Sequence, residues 1–180
     1  MDFMVEWRFD QPPFMYTARL FLLLCVLWAT ACSSPRYTYR YVAGKTAVLC
    51  EGRAVAPVGA PAPVVAAIAA GNRIAGMPYC YGGGHGPGAA HGFDCSGSTS
   101  YVLQAAGLLH GGHTNSDGFR KYGKSGEGKW ITVYARSGHV FLSVAGLRFD
   151  TGWGQKREGP QWTTKSRPAD GTVLRHPPGL

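Results

Sequence analysis

The sequence predicts an α+β fold, and three observations carry that expectation. Glycine is abundant, at 26 of 180 residues, and charged residues are sparse, at 16%, a balance that favours a loop-rich fold over a helical bundle. Apolar residues recur at helical spacing in the first half of the chain and alternate, as along half-buried strands, in the second. Helices followed by antiparallel strands are the pattern of an α+β domain. An apolar content of 45% supplies a core for one domain of ordinary size with accessory segments.

The elements follow in order. Residues 1–31 form a signal segment. "RLFLLLCVLWATACSS" carries one positive residue, an apolar core of about ten residues, and small residues ahead of Cys32. It is too short for a membrane span. Asp2, Glu6 and Asp10 stand against Arg8 alone before it, unlike a signal n-region, so translation is expected to begin at Met15. Ala29-Thr30-Ala31-Cys32 resembles a bacterial lipobox, in which the cysteine is lipidated and becomes the mature N-terminus. That places the protein in the periplasm, held to a membrane by a lipid anchor, the outer membrane favoured; the alternative is plain secretion after cleavage near Ala31.

Residues 32–63 read as a tether and a short β element, with "KTAVLCEGRAVAPV" as two short strands around Glu51-Gly52. Residues 64–180 hold the main domain. "PAPVVAAIAAGNRIAG" predicts a helix with a proline near its start and Gly76 beyond its end. Residues 82–93 are a glycine loop. Asp94 then caps a second helix, with Val102, Leu103, Ala106 and Leu109 at helical spacing and Gly111-Gly112 at its end. Residues 111–128 read as a polar loop. "KWITVYA", "HVFLSVAG", "LRFDTG" and "GTVLRH" are strands.

Cys95 is the candidate with chemistry. It stands directly after the cap, where free N–H groups and the helix macrodipole favour a negative sulfur and can hold an oxyanion. A buried structural thiol is the plain alternative. A nucleophile also needs a base, and His139 opens a strand. If Ala145-Gly146 is a two-residue turn, Val144 faces Leu147 and Leu142 faces Phe149 on one apolar side. His139 and Asp150 then become diagonal neighbours on the opposite side, about 7–8 Å apart, within reach of their side chains. A three-residue turn would put them on different faces. Asp150 could then orient the imidazole.

"PYCYGGG", "DCSGSTSYVL" and "GHVFLSVAG" resemble the three signature blocks of the NlpC/P60 peptidases, over residues 64 to about 152. These are bacterial cysteine endopeptidases of papain-like fold that cut peptidoglycan stem peptides. The resemblance implies Cys95 as nucleophile, His139 as base and Asp150 in place of the family's third polar residue, often a histidine. It implies Tyr79 near the oxyanion, and Asp94 and Ser96 meeting the substrate's free amine or shaping its subsite. It implies no cofactor, a peptidoglycan peptide as partner, and a monomer. The glycine loop is longer than is usual in the family.

Other readings are weaker. The net charge is +8, which suits an acidic wall polymer, but no basic run or basic helix points to nucleic acid. Cys80, His85, His91 and Cys95 offer zinc-type ligands at spacings that match no common pattern, so no metal is expected. "GGGHGPG" lacks the Gly-Lys-Ser/Thr ending of a phosphate loop. Cys50 and Cys80 could pair in an oxidising compartment. A non-catalytic wall-binding or scaffold lipoprotein and an acyl or amide transferase are the functional alternatives.

Overall fold

In a computed structural model of the chain, residues 36–86, 90–152 and 158–180 are described; the signal segment, Met15 and Cys32 lie outside them. In chain order the elements are β1 (Arg36–Tyr37), β2 (Val48–Cys50), β3 (Arg53–Val55), α1 (Ala62–Ile74), α2 (Cys95–Ala105), α3 (Ser116–Phe119), β4 (Lys124–Ser125), β5 (Ile131–Arg136), β6 (His139–Val144), β7 (Leu147–Asp150), β8 (Gln161–Thr163), β9 (Arg167–Pro168) and β10 (Val173–His176). Six strands form one antiparallel sheet in the order β4-β10-β5-β6-β7-β8. Helices on an antiparallel sheet make the fold α+β. Among the described residues, no helix is long and apolar enough to cross a membrane.

The sheet is buried on both faces. Ile131, Val133, Val140, Leu142, Val144, Leu147 and Phe149 point to one side, where they join Val64, Ile68, Val102 and Leu103 of α1 and α2 in the main core. The alternate residues Tyr134 and Phe141 meet Tyr37 and Ala169 on the other side. β1 pairs with β9, Tyr37 opposite Arg167, so the chain just before the main domain covers the second face.

Local chemistry explains where the elements start and stop. α1 has a proline in its first turn, and the Asn72 side chain bonds both backbone groups of Ala54, tying the β2–β3 hairpin to the helix. Glu51 and Gly52 turn that hairpin with positive φ, as expected. α2 stops at Ala105, earlier than the expected Gly111-Gly112. Gly107, at φ 69°, sends its N–H to the Gln104 carbonyl while Leu108 bonds that of Leu103. This Schellman closure satisfies the last carbonyls and ends the helix. The stretch 111–128, expected as loop, contains α3 and β4. Asn115 caps α3 by accepting from Gly118, and the fully buried Phe119 anchors it.

The β6–β7 hairpin has the short turn. Val144 pairs Leu147, Ser143 pairs Arg148 and Leu142 pairs Phe149. Ala145 and Gly146 both have positive φ, 46° and 75°, as a type I′ turn requires.

α1 contains a glycine in its interior for a packing reason. A Cβ at Gly71 would lie 2.4 Å from the Trp162 indole, which is buried and packed against Phe149. Overpacking costs about 1–3 kcal/mol, more than the roughly 1 kcal/mol that alanine returns in helix propensity. Gly71→Ala is therefore expected to lower the urea midpoint of unfolding, even though it replaces glycine with a better helix former.

Candidate functional site

The Cys95 end of the site is built around the Asp94 carboxylate. Oδ1 accepts from the Gly97 amide at 2.6 Å, the bond that caps α2, and from Ser96 Oγ at 3.0 Å. Oδ2 accepts from the Gly82 amide at 2.9 Å. Asp94 thus joins the helix start to the glycine loop, and Cys95 follows at the first helical position. Its amide stands where an α-helix leaves N–H groups without an intrahelical acceptor. The loop lies close: Asp94 N–H bonds the Gly83 carbonyl, and a Cβ at Gly97 would come within 1.9 Å of that oxygen. Only glycine allows this approach.

The His139 end comes from the sheet. His139, the first residue of β6, places Nε2 2.9 Å from Asp150 Oδ1. Cys95 lies close enough to the imidazole to favour its protonated form. The expected row of Cys95, His139 and Asp150 is thus brought together. Burial works against a charged imidazole, but the bond to Asp150 and the nearby Cys95 outweigh it, and the His139 pKa is raised above its ordinary value. Asp150 is itself buried, and its Oδ1 also accepts the Thr151 amide at 2.8 Å.

Tyr79 lies beside the pair. It bridges to Phe93 and, with Arg136, His139, Thr151 and Arg167, lines a cleft of about 350 Å³. Burial and the neighbouring Cys95 and Asp94 raise the pKa of its phenol, which leaves it a protonated donor.

Three partners of the site were not assigned a role at it from sequence, or were assigned a lesser one. His85, from the glycine loop, sets Nε2 3.1 Å from both Asp94 Oδ1 and Ser96 Oγ, so the two residues expected to meet substrate are engaged by the chain. Its ring packs edge-on to His113. Arg148 and Arg167 converge on Asp150 Oδ2, at 3.5 and 2.5 Å. The hairpin register already placed Arg148 on the face of Asp150, and that signal would have found it. Arg167 has no such signal, because its strand is two residues long.

Cys50 and Cys80 are free and exposed, not paired. Among the described residues, no three His, Cys, Asp or Glu side chains converge as metal ligands.

The raised His139 pKa has a consequence for stability. The native state binds this proton more tightly than the unfolded chain, so the contribution is full below the ordinary value of 6.5 and lost as pH rises through the native value. The difference in unfolding free energy between the protein and His139→Gln is expected to be largest at acid pH and to shrink on the alkaline side, measured by urea denaturation across pH. No protein-family model matches the chain, and no curated protein matches it.

Proposed function

We propose that the protein is a cysteine endopeptidase of the NlpC/P60 type, of papain-like fold, which hydrolyses an amide bond in peptidoglycan stem peptides. One observation carries this reading: a cysteine at a helix N-terminus lies beside a histidine whose Nε2 is held by a buried aspartate. That is the arrangement nucleophilic acyl transfer needs. The three sequence blocks that carry the resemblance supply the substrate class, with the bond between D-Glu and diaminopimelate the one most often cut in that family.

Cys95 attacks the scissile carbonyl as thiolate while His139 holds the proton. The Cys95 amide and the Tyr79 phenol stabilise the oxyanion. Collapse of the tetrahedral intermediate breaks the C–N bond, and the imidazolium gives its proton to the leaving amine. The acyl group is then a thioester on Cys95. Neutral His139 takes a proton from water, the hydroxide oxygen adds to the thioester, and the free acid leaves with the thiolate restored. Asp150 keeps the imidazole in the tautomer and orientation that both proton transfers require.

Lipidation at Cys32 would hold the enzyme on a membrane of the periplasm, next to the wall. The net positive charge favours approach to an acidic polymer.

The test is digestion of purified peptidoglycan, with released fragments identified by mass. Cys95→Ala and His139→Ala are expected to lower the rate by about 10³-fold or more. Asp150→Asn is expected to cost about 10²- to 10⁴-fold. Unchanged peptidoglycan with the unaltered protein would overturn the reading and favour a wall-binding or scaffold role. Transfer of the acyl group to an added amine, in place of free acid, would identify a transferase.

A further inference from the structure

The carboxylate of Asp150 has two edges with different work. Oδ1 takes His139 and the Thr151 amide; Oδ2 takes Arg167 and faces Arg148. A carboxylate bound to one histidine can rotate about its own Cβ–Cγ bond. With Oδ2 pinned to a guanidinium, that rotation is blocked and Oδ1 stays aimed at the imidazole.

The two arginines are themselves seated by the start of the described chain. The Arg148 guanidinium lies 5.6 Å from the Tyr37 ring and 5.9 Å from that of Phe141, and Arg167 lies 5.5 Å over Phe141. Tyr37 is also the backbone partner of Arg167 across β1 and β9, and its hydroxyl donates to the Gly146 carbonyl at the β6–β7 turn. Arg148 is fully buried, and burial pushes its pKa down against the pull of Asp150. Buried ion pairs are a poor source of stability compared with apolar packing of the same volume. Their strength is in fixing geometry, and the geometry fixed here is that of Asp150.

We propose that Arg167, backed by Arg148 and seated by Tyr37, is a positioning residue that clamps Asp150 so that it can orient His139. It rests on the reading of Cys95 and His139 as nucleophile and base. The strand Arg36–Tyr37, expected as part of a tether, is thereby a working part of the site.

The charged and titratable groups around His139 are Asp150 and Arg148 from β7, Arg167 from β9, Arg136 at the end of β5, Tyr79 before the glycine loop, and Cys95 from α2. Removing Arg167 acts on His139 in two opposed ways. Loss of a nearby cation alone would raise the histidine pKa, whereas release of Asp150 from its alignment would lower it. The sign therefore separates positioning from simple charge.

The experiment is an NMR titration of the His139 ring in full-length Cys95→Ala protein, with the resonance assigned through His139→Gln. Arg167→Met is expected to lower the His139 midpoint by about one pH unit, with Tyr37→Leu moving it the same way by less. Arg167→Lys, which keeps a cation against Oδ2, is expected to restore most of it and guards against a folding defect in the methionine variant. A midpoint that rises or stays put in Arg167→Met, or no rescue by lysine, would overturn the proposal. The titration needs no substrate, so it reads the hold of Arg167 on Asp150 separately from the digestion of peptidoglycan, and the two failures are distinguishable.

Discussion

A two-residue turn at Ala145–Gly146 decides whether His139 and Asp150 share a side of the sheet. Side chains along a strand alternate, so one residue more in that turn would send Asp150 to the opposite face from His139. The same choice places Leu142, Val144, Leu147 and Phe149 in the main core, so the core enforces the register on which the chemistry depends. Burial of these side chains is worth roughly 1.5–3 kcal/mol each. That is far more than the strain of holding Ala145 at a positive φ, about 1–2 kcal/mol. The alignment of a histidine and an aspartate is thus secured by apolar packing on the other side of the strands.

Asp94 performs the matching task for Cys95. One carboxylate caps α2, bonds Ser96, holds the glycine loop through Gly82 and meets His85. Helix start, loop and histidine therefore move together or not at all. The thiol stands one residue beyond this junction, and its orientation toward His139 is inherited from the packing of α2 on β6.

Features that depend on neighbours in sequence were legible before the structure. The Asp94 cap, the proline-led α1, the Glu51-Gly52 turn and the alternation that sets the β6–β7 register all have periods or turn residues of their own. The pairing of His139 with Asp150 was legible because the hairpin geometry follows from the apolar pattern, whereas Cys95 stood out by its place after the Asp94 cap. What could not be read had no local pattern. α3 is four residues long, and β8 and β9 are too short for an alternation to register. The end of α2 was misplaced because Gly107 and Gly111 look alike in sequence, and only the Schellman bonds distinguish them. Arg167 and His85 reach the site through tertiary contacts, which a single sequence does not disclose.

β10 enters the sheet between β4 and β5, although it is drawn from Val173–His176, near the end of the chain. Until those residues have been made, the edge of β5 has no strand to pair with and stands open to other chains. Arg167 comes only a few residues earlier, so Asp150 too waits for a partner made after its own strand. The order of assembly is therefore built into the topology. Cys95 and His139 both precede β9 and β10, the strands that complete the frame around them.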